Sequence, residues 1–258
     1  MRFASLGSGS EGNGLVVEAG ASRLLLDCGF SLRDATRRLA RIGIDPADLA
    51  GIIVTHEHSD HVGGVFSLAR RFGLPVWITH GTLAAMRESD PDAAASVQVE
   101  FIRGEAVFAV GDLQVSPFTV PHDAREPVQY VLTDGAHRLG VLTDTGCTTP
   151  HVEEMLSGCD ALVLEANHDL DMLRQGNYPP ALQARIAGRF GHLDNGTAGQ
   201  LLSAIDRSRL QHIVAAHLST HNNKPELART AVAAALGCEE SWVGIASQDE
   251  GFGWRDLC

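Results

Sequence analysis

The residues best suited to chemistry lie in one short run, Thr55-His56-Glu57-His58-Ser59-Asp60-His61-Val62-Gly63-Gly64, directly after the apolar segment Ile52-Ile53-Val54. Neutral imidazole and carboxylate are ligands for a borderline divalent ion such as zinc, and also for manganese or iron. On an extended stretch His56 and His58, two apart, point the same way, toward one ion. Asp60 and His61 come one short turn later and face a second ion. Glu57 and Ser59 then point away, and Gly63-Gly64 turns the backbone tightly into the next helix. A lone histidine is ordinarily a satisfied core or surface imidazole. Four such groups packed at a strand end serve no apolar core, because burying them unpaired is costly.

Matching ligands follow. His122 comes after Thr119-Val120-Pro121, Asp144 after Leu142-Thr143, and His217 after Ile213-Val214-Ala215-Ala216, each at the end of an apolar run. Ligands at the same end of several strands converge at one sheet edge, where α/β folds place their sites. His122 then completes the His56/His58 ion, His217 completes the Asp60/His61 ion, and Asp144 bridges both. Two divalent ions about 3.5–4 Å apart can hold a bridging hydroxide at neutral pH and neutralise charge growing on a reacting group. Asp60 is also placed to orient that hydroxide. Asp27, near a strand end, is expected to hold a ligand imidazole.

These residues must be carried by an alternation of short apolar strands and amphipathic helices. Strands are expected at Arg2–Leu6, Leu15–Glu18, Arg23–Leu26, Gly51–Val54, Val76–Ile78, Leu113–Val120, Val128–Leu132, Leu139–Leu142, Ala161–Leu164 and His212–Ala215. Helices are expected at Leu32–Ile42, His61–Phe72, Pro150–Leu156, Pro180–Phe190, Thr197–Asp206 and Pro225–Leu236. In the first helix Leu32, Ala35, Leu39 and Ile42 share one face and leave Arg33, Arg37 and Arg41 outward. Several strands are close enough in sequence for hairpins, so two packed sheets with outer helices fit better than one all-parallel sheet. Periodicity alone leaves both architectures open.

Composition bounds the function. At 258 residues, with 44% hydrophobic and 20% charged, the chain excludes wholesale disorder, collagen and a coiled coil, and one domain over 1–258 is expected. A balance of 20 Lys+Arg against 32 Asp+Glu, net −12, excludes a strongly basic nucleic-acid coat but allows a local patch. Arg33, Arg37, Arg38, Arg41, Arg70, Arg71, Arg185 and Arg189 are the candidates for such a groove. The five cysteines, none in a CxxC spacing, suit reduced thiols in the cytoplasm. Neither a signal-peptide pattern nor an apolar run of about 18 residues is present, so no membrane segment is expected.

The His-x-His-x-Asp-His run with its later His, Asp and His resembles the metallo-β-lactamase-fold superfamily, and more closely the YycJ/WalJ-type exonucleases. The likeness covers nearly the whole chain. It includes Ser5-Leu6-Gly7-Ser8-Gly9-Ser10-Glu11-Gly12-Asn13, Leu26-Asp27-Cys28-Gly29 (with Cys28 where alanine is usual), His122-Asp123-Ala124-Arg125-Glu126-Pro127, Glu165-Ala166-Asn167-His168-Asp169, Tyr178-Pro179, Gly191-His192-Leu193-Asp194-Asn195 and His217-Leu218-Ser219-Thr220-His221-Asn222-Asn223. The resemblance implies an αββα sandwich, a four-layer α/β fold with two mixed sheets; no stretch between Asp144 and His217 reads as an inserted clamp domain. It also implies 5′-to-3′ hydrolysis of DNA phosphodiester bonds and a part in DNA repair. Gly191-His192 resembles a phosphate-contacting histidine of RNase Z proteins, making His192 the candidate proton donor to the leaving oxygen, with Glu165 orienting its ring.

Weaker candidates are Asn13 with its glycine-rich loop for phosphate, His168 and Asn222 for substrate or for bracing, and Tyr178 for base stacking beside Phe30, Trp77 and Tyr130. His80, His137, His151 and His212 are expected to be structural. Competing readings are a glyoxalase II-like thioesterase, a β-lactamase, an RNase Z-like ribonuclease, a flavodiiron-type oxidoreductase and a non-catalytic, metal-stabilised DNA-binding module. A missing export signal weighs against the lactamase, and His58, where flavodiiron proteins carry glutamate, against the oxidoreductase.

Overall fold

The computed structural model describes Met1–Cys258. The first sheet takes strands β1 (Arg2–Gly7), β2 (Gly14–Ala19), β3 (Ser22–Leu26), β4 (Gly51–Ile53), β5 (Val76–Thr79) and β6 (Val99–Ile102). The second takes β7 (Phe108–Val110), β8 (Leu113–Thr119), β9 (Val128–Thr133), β10 (Arg138–Leu142), β11 (Ala161–Glu165), β12 (His212–Ala216) and β13 (Gly244–Ile245). The last strand, β14 (Phe252–Asp256), returns to the first sheet beside β1, so each sheet has seven strands. Both sheets are mixed in the same sense. β14, β1, β2 and β3 pair antiparallel and β3 to β6 parallel. Likewise β7 to β10 pair antiparallel and β10 to β13 parallel.

Side-chain alternation explains why the sheets stack. Leu15, Val17, Leu24 and Leu26 of the first sheet meet Val163, Val214 and Ala216 of the second in a central core. Their neighbours Val16 and Leu25 face the other way, against α1 (Leu32–Arg41), α2 (Ser59–Val62), α3 (Val65–Phe72) and α4 (His80–Ser89). Leu162, Leu164, Ile213 and Ala215 do the same against α5 (Pro150–Leu156), α8 (Asn195–Ala204) and α9 (Pro225–Leu236). Three apolar cores therefore separate four layers, the αββα sandwich. The short helices α6 (Leu170–Gln175) and α7 (Pro180–Ile186) lie in the connection from β11 to α8. No helix is long and apolar enough to cross a membrane.

Several expectations need correction. The helix expected over His61–Phe72 is two helices, α2 and α3, interrupted at Gly63-Gly64. Neither glycine is left-handed, with φ of −53° and −113°. A Cβ on Gly64 would lie 1.8 Å from the Phe30 carbonyl oxygen, so close backbone approach, rather than a tight turn, is what requires glycine there. The helix expected over Pro180–Phe190 stops at Ile186, whose carbonyl accepts from the His192 N–H at 2.9 Å. α8 begins before Thr197 because the Asp194 carboxylate accepts from the N–H groups of Gly196 and Thr197. Strands β6, β7, β13 and β14 and helices α4 and α6 were not legible. Phe30 and Tyr130 belong to the core, not to a stacking surface, and Trp77 packs against it.

Candidate metal centre

The site is built at the C-terminal ends of β3, β4, β10, β11 and β12, with His122 arriving from the β8–β9 connection. At three of these ends a non-glycine residue is left-handed: Asp27 after β3 (φ 58°), Asp144 after β10 (φ 51°) and His217 after β12 (φ 54°). Such conformations cost on the order of 1–3 kcal/mol each and persist where surrounding structure over-determines them. Here they swing each side chain off its strand into the same buried space.

The imidazoles are aimed by their Nδ1 atoms. His61 Nδ1 lies 2.8 Å from Asp27 Oδ2, His122 Nδ1 3.1 Å from the Gly191 carbonyl and His217 Nδ1 3.3 Å from Glu165 Oε1. Those oxygens only accept, so each Nδ1 carries a proton and each Nε2 is turned inward, that of His61 to within 3.1 Å of the Asn13 amide nitrogen. The Thr55 hydroxyl donates to Asp27 Oδ2 at 2.7 Å, so at 3.0 Å it accepts from His56 Nδ1 and frees His56 Nε2 as well. His58 is turned the other way, its Nδ1 3.2 Å from His122 Nε2. Tying one ring nitrogen to fix the other is how metal-binding histidines are held.

The freed atoms gather. Ligand atoms of His56, His58 and His122 lie within 4.8 Å of one another, as do those of Asp60, His61 and His217. Asp144 stands between, Oδ2 2.8 Å from His61 Nε2 and Oδ1 3.4 Å from His217 Nδ1, and its ligand atom also groups with those of His56 and His61. Buried His56 Nε2 and Asp144 Oδ2 have no hydrogen-bond partner. Burial, joined by the His61 imidazole, holds His56 well below its ordinary pKa, and burial lowers His122. Burial would lower His61 too, but Asp144 and Asp27 outweigh it and hold that imidazole well above. Against the same burial, Asp144, Asp60 and Glu165 raise His217 to about 9. The carboxylates thus draw positive charge into a buried space. Divalent cations on the unpartnered Nε2 and carboxylate atoms meet that demand, so the donor set fits them.

His192 sits beside this cluster, Nδ1 2.8 Å from Glu165 Oε1 and 3.2 Å from Asp144 Oδ1, and is 23% exposed at the cleft. Burial would lower it, but Glu165 and Asp144 hold its pKa well above the ordinary value. Glu165 is fully buried and also accepts from the N–H groups of Thr145 and Leu193. A cleft of about 310 Å³ opens over these groups, lined among others by Ser10, Asp60, Tyr178, Arg185 and His192.

Three weaker candidates do not face this cleft. Asn13 is buried. Its amide donates to the carbonyl of Gly9 and to Asp60 Oδ2, and the loop N–H groups of Gly9, Glu11, Gly12 and Asn13 are all engaged within the protein. It braces Asp60. His168 and Asn222 are likewise buried, His168 beside Asn167 and Asn222 in the loop that Asp169 N–H bonds. Asp169 caps α6. Tyr178 does line the cleft, tilted against His221 at 5.9 Å. His80, His137, His151 and His212 lie on Phe101, Asp134, Glu105 and the Asp256 carbonyl, as structural residues do. Sequence reading missed Thr55 and Ser8, whose hydroxyl accepts from the His217 N–H at 2.9 Å, because a lone hydroxyl beside a motif carries no signal.

A family model described as a beta-lactamase superfamily domain matches residues 22–217. The chain is 36% identical to the exodeoxyribonuclease YycJ of Bacillus anthracis, over 97% of its own length and 94% of that protein. It belongs to the YycJ/WalJ-type family of the metallo-β-lactamase fold. Identity to the exodeoxyribonuclease WalJ of Streptococcus pneumoniae serotype 2 is 34%, covering 95% of this chain and 91% of that one. The crystal structure of the metallo-beta-lactamase fold protein YhfI from Bacillus subtilis aligns with a TM-score of 0.74 at 17% identity over 99% of both chains, a likeness of fold alone. This YycJ/WalJ-type chain is accordingly a metal-dependent hydrolase by fold and donor set.

Cys28, at the position where the YycJ/WalJ pattern usually has alanine, is a packing residue. Burial pushes its thiol up to about 12, and its sulfur lies 3.7 Å from the Phe30 carbonyl. Iodoacetamide on the native protein should label exposed Cys258 and spare Cys28 until denaturant is added. Peptide mapping that finds Cys28 alkylated in the native state refutes this assignment.

Proposed function

We propose that the chain is a metal-dependent phosphodiesterase that degrades DNA from the 5′ end, working as one unit over residues 1–258 without an inserted clamp. The observation that carries the reading is the set of four imidazoles whose Nδ1 atoms are tied so that Nε2 faces one buried space, in a chain 34–36% identical to exodeoxyribonucleases over nearly its full length. His56, His58 and His122 would hold one divalent cation, Asp60, His61 and His217 a second, with Asp144 shared between them. A nitrogen-rich set without thiolate suits zinc or manganese, and also iron. Bound there, such cations would lower the pKa of an attacking water and neutralise charge developing on the phosphate.

The chain's own residues supply the rest. Asp60, partly exposed at the cleft, orients the attacking water through its carboxylate. Glu165 fixes His192 by its Nδ1, which leaves Nε2 to meet the leaving oxygen and hand it a proton. Tyr178 offers a face for a base near the strand end. Unpaired cysteines and the absence of a long apolar helix suit a cytoplasmic setting, where DNA repair is the matching role.

The test incubates metal-loaded protein with 5′- and 3′-end-labelled DNA, with RNA of the same sequence and with S-lactoylglutathione. Release of nucleotides from the 5′ end of DNA is expected. Thioester turnover with intact nucleic acid overturns the reading, and cleavage of RNA alone moves it to a ribonuclease.

A further inference from the structure

A chain of net charge −12 must still admit a polyanion. Most of the arginines that the sequence offers for this are otherwise engaged. Arg38 is buried, bonded to Asp34 and to the carbonyls of Leu6 and Asp249, and Arg41 bonds the carbonyls of Leu6 and Glu250. Arg37 pairs with Asp34, and Arg70 bonds the carbonyls of Ala93 and Ala95. Arg71 and Arg189 lie over the rings of Phe72 and Phe190. Of the eight candidates, Arg185 alone lines the cleft of the metal centre.

Its position is fixed by backbone and free at the tip. Arg185 stands in the last turn of α7, and the carbonyls of Arg185 and Ile186 would lie 2.3 and 2.2 Å from a Cβ on Gly191. Only glycine admits that approach, and it pins α7 to the residue preceding His192. The side chain is 63% exposed, with Nε 2.6 Å from Asp123 Oδ2. The other oxygen of Asp123 lies 3.5 Å from His122 Nε2 and 3.9 Å from His58 Nε2. Asp123 therefore holds the guanidinium one carboxylate away from the first ion's ligands, and it engages Nε alone.

We propose that Arg185 binds a phosphate of the nucleic-acid strand adjacent to the phosphate being cleaved. The two terminal nitrogens left by Asp123 form the planar fork that takes two phosphate oxygens at once. Asp123 sets the direction of the fork and cancels its charge when no strand is present. This assignment rests on the nuclease reading above. It adds the residue that makes a phosphate next to the scissile bond part of recognition.

The test uses the full-length, metal-loaded protein and 3′-labelled single-stranded DNA bearing either a 5′-phosphate or a 5′-hydroxyl. Arg185→Ala should raise KM by about 5- to 100-fold with kcat changed less than about threefold, and should reduce the slope of log KM against log salt by about one contact. Arg185→Lys, which keeps charge and loses the fork, should fall between. Loss confined to the 5′-phosphorylated substrate identifies the terminal phosphate as the ligand; equal loss on both identifies an internal one. Arg87→Ala, exposed in the last turn of α4, should match wild type. Wild-type cleavage with unaltered KM and salt slope in Arg185→Ala overturns the assignment and leaves the nuclease reading standing. Wild-type protein that neither binds nor cuts DNA or RNA overturns the nuclease reading, and Arg185 with it.

Discussion

Asp144→Asn should yield a folded protein that has lost tight binding of at least one divalent cation and nearly all turnover. Asp144 is 2% exposed and touches three imidazoles: His61 at 2.8 Å, His192 at 3.2 Å and His217 at 3.4 Å. Its ligand atom also groups with those of His56 and His61, one imidazole from each proposed triad, as no other carboxylate of the cluster does. Removing one partner from a buried charged pair costs about 3–5 kcal/mol, which on the scale of cation affinity corresponds to roughly 10²- to 10⁴-fold. The choice of asparagine separates chemistry from strain. Position 144 is left-handed, a conformation asparagine tolerates and alanine does not, so Asp144→Ala would add a backbone penalty that Asp144→Asn avoids. Elemental analysis after gel filtration should find fewer than two ions per chain in Asp144→Asn against two in wild type, with the metal-free variant still melting cooperatively but at a lower temperature. A variant that keeps both ions and its turnover would remove Asp144 from the centre.

That so much of this centre could be read in advance follows from how its parts are distributed. The seven proposed ligands cluster in sequence or stand at the ends of apolar runs, and an imidazole at the end of a strand has few structural uses. The sandwich was legible where strands are buried on both faces, as β3, β11 and β12 are. It was not legible at the sheet edges, where β6 leaves Glu100 and Phe101 exposed and no apolar alternation survives. The bracing residues were hidden for a different reason. Ser8 and Asn13 reach His217 and Asp60 from far away in sequence, Thr55 joins its neighbour His56 to distant Asp27, and all three residue types are common in loops. Backbone handedness at Asp27, Asp144 and His217 leaves no mark on composition at all. Arg38 shows the converse error: counted among the cations for a groove, it is buried, and its guanidinium satisfies the carbonyls of Leu6 and Asp249.

His192→Ala should separate proton transfer from cation binding. His192 is placed in neither ligand triad, and Nδ1 is held by Glu165, so its loss should leave the ion content of the protein at the wild-type value. General acid catalysis by a positioned side chain contributes about 10²- to 10⁴-fold, and kcat on DNA should fall within that range. The same variant should be far less impaired on bis(p-nitrophenyl) phosphate, whose nitrophenolate leaves without needing a proton. Glu165→Gln provides the contrast. Its Oε1 meets both His192 Nδ1 at 2.8 Å and His217 Nδ1 at 3.3 Å, so one substitution disturbs the proton donor and a proposed ligand together. Loss of such a supporting carboxylate typically lowers metal affinity about 10- to 100-fold. Glu165→Gln should therefore need added metal for what activity remains, and should stay impaired on the activated diester unless metal is in excess. If His192→Ala instead loses ions, His192 is a ligand, in keeping with its reach to Asp144, and the proton must come from another group. If it loses equally on DNA and on the activated diester, the ring stabilises charge on the phosphate, not on the leaving oxygen.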